Sequence, residues 1–196
     1  MRATRATATH IPEATASTTT DGADAGPTRF HAGIGAVVGM ALGDLEDYVD
    51  ASPGITLGFG YDVHAFDMQD KTRPLMLCGV KIEHPYGLAG HSDADVALHA
   101  LTDAILGSIG EADIGHHFPP SEPKWKNAAS DLFLMHAREL ACQKEAIIQN
   151  VDITIICEAP KIGPYREQMQ KRIADLLNLE PSQVGVKALS LIHISE

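Results

Sequence analysis

From Ile55 onward, short runs of β-branched and apolar residues alternate with stretches in which apolar positions recur every three or four residues. Residues 55–61 and 75–82 are of the first kind, separated by a polar, turn-rich segment that includes Asp70 and Pro74, and they predict two strands paired with one another. Gly90, His91 and Ser92 then open a helix over about 93–109, with Ser92 as its N-cap and Asp93 and Asp95 in the first turn, where the dipole favours acids. Residues 111–127 carry several prolines and read as a loop. Leu132, Phe133, His136, Leu140 and Ala141 fall near helical spacing and predict a helix over about 129–145. Residues 151–156 read as a strand, Pro160 and Gly163-Pro164 mark a loop, a helix follows over about 165–178, and 184–188 predict a last strand. Strands and helices mix without strict β-α-β alternation, so the expected fold is α+β, a mixed sheet with helices packed on one face. There is no internal repeat.

Before Ile55 neither period holds. The first 20 residues contain eight Ser or Thr and five Ala, with Arg2 and Arg5 against the single acid Glu13. Such a stretch lacks the apolar surface to offset its ordering entropy, and its hydroxyl-rich, acid-poor character matches an organelle transit peptide as well as it matches a plain disordered start. Residues 21–54, with Gly33, Gly35, Gly39 and Gly43 followed by Asp44, Glu46, Asp47 and Asp50, read as linker. A transit peptide places the protein in the plastid stroma, and without one the cytoplasm is the alternative.

Composition narrows the function. The 196 residues carry 15 Lys or Arg against 26 Asp or Glu, a formal net charge of −11, and 44% are apolar. That suffices for a core, but no apolar run approaches the ~20 residues of a membrane span, and an acidic chain is poorly suited to nucleic acid. Cys78, Cys142 and Cys157 are widely spaced and odd in number, which supports neither a disulfide framework nor a cysteine zinc knuckle and points to a reducing compartment.

Ten histidines remain as candidate chemistry. Asp62 and His64 are two apart on a predicted strand and leave the same face. His99 lies four residues after Asp95 and four before Asp103, so a carboxylate could orient its second ring nitrogen. Asp62, His64 and His99 together make two imidazoles and one carboxylate, a donor set suited to zinc or a similar divalent ion with a position left open. A helical histidine also serves simply as a packing residue, and spacing alone leaves both readings open. His91-Ser92-Asp93 at the helix start offers amides to an anion, or forms a plain cap. Asp113-Ile114-Gly115 and the loop from Phe118 to Glu122 could line a cleft. Lys161, after Ala159-Pro160, is either a solvated cation or a partner for a diphosphate.

The strings GFGYDVHAF at 58–66, GHSDADVALHALTDAILG at 90–107, DIG at 113–115 and DITIICEAPK at 152–161 closely resemble the 2-C-methyl-D-erythritol 2,4-cyclodiphosphate synthase family of the non-mevalonate isoprenoid (terpenoid) pathway. The resemblance runs over residues 55–188. It implies a homotrimer with active sites between subunits and the cyclisation of 4-diphosphocytidyl-2-C-methyl-D-erythritol 2-phosphate with release of CMP, a phosphorus-oxygen lyase reaction. The metal ligands it implies are Asp62, His64 and His99, with zinc there and a second divalent ion such as magnesium on the diphosphate. His91 would hold the reacting phosphate. Asp62, Val63, His64, Ser92, Asp113, Ile114, Gly115 and Phe118 would contact the substrate, and Cys157, Ala159, Pro160 and Lys161 would receive its cytidine diphosphate end from an adjacent subunit.

Two departures follow from the same comparison. After Val186-Lys187-Ala188 the family continues with a Thr-Thr-Thr-Glu segment, whereas residues 189–196 here do not match. Pro120-Ser121-Glu122 stands where the family carries loop acids. The departures admit a second expectation, an incomplete chain that keeps metal and nucleotide binding but lacks full catalysis. A third, a generic zinc phosphohydrolase, keeps the metal set but predicts hydrolysis without cyclisation.

Overall fold

The computed structural model describes the backbone of residues 33–43 and the whole of residues 55–190. Expectations for 1–32, 44–54 and 191–196 lie outside the described residues. Among the described residues there are six strands, β1 Gly33–Gly43, β2 Ile55–Ala65, β3 Leu75–Leu77, β4 Val80–Ile82, β5 Ile147–Ile156 and β6 Val184–Leu189. The α-helices are α1 Val96–Ser108, α2 Ile114–His117, α3 Asp131–Gln143 and α4 Arg166–Leu177.

The main sheet runs β2-β1-β5-β6, with β1 antiparallel to both neighbours and β5 parallel to β6. It is the expected mixed sheet of an α+β fold. One expectation about its membership is corrected. Residues 33–43 are not linker but the strand between β2 and β5. The glycines suggested a flexible segment, yet the residues between them form a nearly continuous apolar run, which is how a strand flanked on both edges reads.

The stretch 75–82 is also different from expectation. It is not one strand beside β2 but a hairpin, β3 against β4, in a separate two-stranded sheet. Cys78 and Gly79 form its turn with φ of 55° and 70°, the positive pair that lets a two-residue connection follow strand twist.

The start of α1 also differs from expectation. Ser92 does not cap it. Ala94 has a φ of 59°, which breaks the helical path, and Asp95 is the N-cap, accepting from the Leu98 amide at 3.1 Å. Asp95 is fully buried and also accepts from the amides of Cys78 at 2.9 Å and Gly79 at 2.6 Å, so one carboxylate holds the hairpin turn and starts the helix. Burial pushes its carboxyl up to about 6 against the pull of these amides.

Helix α1 is apolar nearly all round and central, with Leu98, Leu101 and Ile105 packed among Leu134 of α3, Ile153 and Ile155 of β5 and Ile173 of α4 in one buried cluster. Two glycines set how close it comes to β2. A Cβ at Gly58 would meet the Ala104 carbonyl and one at Gly60 the Ala100 carbonyl. Close approach here carries the His99 turn of α1 onto the β2 face that bears Asp62 and His64.

Candidate active site

Alternation along β2 sorts its residues by face. Gly58, Gly60, Asp62 and His64 turn toward α1, while Leu57, Phe59, Tyr61 and Val63 turn away and are 61%, 73%, 64% and 58% exposed. Asp62, His64 and His99 each offer a ligand atom within 4.8 Å of the other two, and they are the one such group found among the described residues. Asp62 Oδ2 lies 3.0 Å from His64 Nε2 and 3.1 Å from His99 Nδ1.

The far nitrogens of both rings are held. His64 Nδ1 is 2.5 Å from the Ala89 carbonyl, and His99 Nε2 is 3.0 Å from Ser92 Oγ and 2.9 Å from Ser130 Oγ. Outer partners of this kind fix ring orientation at metal sites, so the donor set fits a divalent cation. The carboxylates first expected to orient His99 do not do so. Asp95 is spent on the hairpin, and Asp103 accepts from the Ile114 amide at 2.8 Å.

Electrostatics within the cluster are strong. Desolvation works to raise the Asp62 carboxyl, but hydrogen bonds with the two imidazoles outweigh it and hold the group well below the usual carboxylate range. For His64, desolvation acts to lower the ring, and the Asp62 hydrogen bond overcomes it to raise the ring above its ordinary 6.5.

The cluster opens on a cavity of about 220 Å³. His64, His91, Ser92 and His99 form one wall, Ile114 and Gly115 the entry to α2, and Phe118, Pro120, Trp125 and Phe133 the apolar remainder. Phe118 packs on Phe133 with centroids 4.4 Å apart and edge-on to Trp125 at 5.0 Å. The buried Trp125 indole N–H has no hydrogen-bond partner among the described residues.

Of the residues singled out from sequence, His64, His91, Ser92, His99, Ile114, Gly115 and Phe118 meet at this cavity. Asp113 caps α2 through the His116 amide at 2.8 Å and is not in the lining. Val63 faces away. Cys157, Ala159, Pro160 and Lys161, at the end of β5, do not line the cavity. Trp125 and Ser130 carried no expectation from sequence, and Phe133 was expected only at an apolar position of α3, not in the site. A lone tryptophan in a proline-rich loop was an available signal for the first, but nothing local marked the other two.

Comparison with known proteins agrees with this geometry. The chain is 52% identical over 144 residues to the bifunctional enzyme IspD/IspF of Ruegeria sp. (strain TM1040), an alignment that covers 74% of this chain and 37% of the relative. The chain thus spans little more than a third of that relative's length. Among solved structures, the bifunctional IspDF from Campylobacter jejuni aligns with a TM-score of 0.61 and 32% identity over 81% of this chain and 36% of that one. A CDP-bound 2C-methyl-D-erythritol-2,4-cyclodiphosphate synthase aligns with a TM-score of 0.60 and 28% identity over 83% of this chain and 91% of that one. The family model described as YgbB family matches residues 55–193, the stretch that contains the Asp62, His64 and His99 cluster and its cavity, and the chain belongs to that family.

Proposed function

We propose that this chain catalyses the cyclisation of 4-diphosphocytidyl-2-C-methyl-D-erythritol 2-phosphate to 2-C-methyl-D-erythritol 2,4-cyclodiphosphate, releasing CMP as a phosphorus-oxygen lyase in isoprenoid biosynthesis. The observation that carries this reading is a two-histidine, one-carboxylate cluster opening directly on an apolar-walled cavity in a chain of the YgbB family. Zinc is the cation proposed for Asp62, His64 and His99, with magnesium on the diphosphate. A divalent cation held there would supply Lewis-acid polarisation of a phosphoryl oxygen.

The chain's own residues do the rest. His91 and Ser92 stand beside the cluster and would hold the 2-phosphate. Ile114, Gly115 and the Phe118, Trp125 and Phe133 wall would receive the methylerythritol carbons and exclude water. Asp113, by capping α2, keeps that wall in place. Attack by the 2-phosphate oxygen on the β-phosphorus is intramolecular, so holding the bent substrate in line removes an entropic barrier worth roughly 7–11 kcal/mol in well-oriented systems. No protein nucleophile is required. Burial raises the thiols of both Cys78 and Cys157, which disfavours the thiolate a covalent route would use.

The assembly proposed is a homotrimer. Four large apolar side chains on the outward face of β2 support a subunit contact, and the absence of residues 157–161 from the cavity of one chain fits their serving a neighbour's site. Incubation with the cytidyl substrate, zinc and magnesium is expected to yield CMP and the cyclic diphosphate in equal amounts. A linear hydrolysis product, or no CMP from a folded, metal-loaded protein, would sink the proposal.

A further inference from the structure

We propose that Ser130, backed by Asp93, is the positioning residue that fixes the His99 imidazole in the tautomer presenting Nδ1 to the cation. This rests on the metal-dependent reading above and goes beyond it to residues outside the ligand set.

Ser130 occupies the N-cap position of α3, yet its side chain makes no capping bond. A serine at that position ordinarily accepts from an amide of the first turn. Here its hydroxyl is fully buried and turned the other way, donating to Asp93 Oδ1 in a short contact and lying 2.9 Å from His99 Nε2. A hydroxyl has one proton. With that proton on Asp93, Ser130 Oγ can only accept from His99, so when a cation stands between Asp62 and the ring the imidazole proton is held on Nε2 and the Nδ1 lone pair faces the cation.

Two tautomers compete. In the other, Nδ1–H points at Asp62 Oδ2, 3.1 Å away, and Nε2 accepts from Ser92 Oγ, 3.0 Å away. That arrangement satisfies Asp62 but blocks metal binding, and it sets the Ser130 and His99 lone pairs against each other at 2.9 Å. The Asp93 carboxylate is what makes this costly. Its Oδ2 accepts from the Ser130 amide at 3.1 Å and its Oδ1 accepts the Ser130 hydroxyl and the Asp95 amide, the latter at 3.2 Å, so it grips Ser130 from two sides. Asp93 itself is held by the turn that carries His91 and Ser92, whose backbone bonds residues 127 and 128. The α3 start, the 91–95 turn and the metal cluster are thus one hydrogen-bonded unit. With Nε2–H given to Ser130, the Ser92 hydroxyl proton is left for an anion in the cavity.

The test uses the full chain, without substrate. Long-range nitrogen-proton correlation spectra of the Zn²⁺-loaded protein are expected to show His99 bound through Nδ1 with a slowly exchanging proton on Nε2, and Ser130→Ala should make that proton exchange faster. Affinity for Zn²⁺, measured by chelator competition, should fall about tenfold in Ser130→Ala, the lower end of what losing an outer-shell partner costs a metal site. Asp93→Ala should also lower it, because it frees the Ser130 proton to be donated to Nε2. The double variant should be no weaker than Ser130→Ala alone, whereas two unrelated structural lesions would multiply. A Zn²⁺-loaded wild type whose His99 Nε2 proton exchanges as fast as that of Ser130→Ala, a Zn²⁺ affinity within twofold of wild type in Ser130→Ala, or multiplicative effects would each overturn the proposal. If Ser130→Ala fails to fold, the wild-type spectrum and Asp93→Ala decide it. Failure of the cyclisation assay with these shifts intact would count against the substrate and leave the positioning role standing.

Discussion

At the scale of single residues, the cluster's own electrostatics set how it competes with protons. In the metal-free protein His64 holds its proton more tightly than an ordinary histidine because Asp62 lies beside it. A bound cation must displace that proton. Above the raised His64 value affinity is flat, and below it affinity falls about tenfold per pH unit. Chelator competition from pH 8 to pH 5.5 is expected to show this break, and an affinity independent of pH would argue that His64 is not a ligand. Asp62→Ala and His99→Ala should each abolish stoichiometric metal after dialysis at any pH, and full retention in both would refute the ligand set. The ligands were legible in the sequence because each rests on a local rule. Period two put Asp62 and His64 on one strand face, and four-residue spacing from Asp95 and Asp103 drew attention to His99, although neither carboxylate holds its ring in the structure. Ser130 was not legible, because 31 residues separate it from His99 and only the crossing of α3 over α1 brings them together.

Elements carry the next set of constraints. Asp95 joins the β3–β4 hairpin to α1, and its burial raises its carboxyl to about 6 in the folded chain. The folded state therefore binds this proton more tightly than the unfolded chain does. Stability contributed at Asp95 is greatest at low pH and declines as pH rises from about 4 to 6, by at most about 1.4 kcal/mol per unit. Asp95→Asn removes that slope, but it turns an amide donor toward the N–H of Cys78 or Gly79 and costs about 1–3 kcal/mol. Melting curves of both proteins should therefore converge as pH is raised from 4 to 7, whereas a constant gap would mean that the buried carboxyl does not titrate in this range. The same element shows why a helix start was misplaced by sequence. Ser-Asp-Ala-Asp offers two good caps, and the hairpin amides that select Asp95 come from 16 and 17 residues upstream. Strand β1 is the larger case. It lies outside the family match yet supplies pairing to both β2 and β5, a role carried by the apolar residues between its glycines and masked by the glycines themselves. A chain beginning at Gly33 is expected to melt cooperatively and one beginning at Ile55 to lose that transition, with β2 and β5 left as open edges. Equal melting of the two would show β1 to be dispensable.

For the whole molecule, two features are unaccounted for by one chain, and a single arrangement accommodates both. The outward face of β2 presents Leu57, Phe59, Tyr61 and Val63 to solvent, an apolar stripe that a soluble subunit normally covers. The segment with Cys157, Ala159, Pro160 and Lys161 resembles a nucleotide-receiving stretch but does not line the cavity at the metal cluster. A proposed trimer in which each site combines one chain's cluster with a neighbour's segment covers the stripe and completes the site, and it answers how a chain of net charge −11 would hold the proposed phosphate-rich substrate: with metal ions, amides and a lysine brought from next door. Subunit mixing separates this from a site built within one chain. Asp62→Ala and Lys161→Ala should each be nearly inactive alone. If every site lies within one chain, each site in a mixture carries one lesion and mixing restores nothing. If sites are shared, random assortment of equal amounts leaves about a quarter of the sites with neither lesion, and activity should return to about that fraction of wild type after unfolding and refolding together. A Tyr61→Glu change, which sets a charge within the stripe, should lower the oligomeric mass seen by sedimentation and remove the complementation with it, while the metal cluster on the opposite face of β2 still binds Zn²⁺.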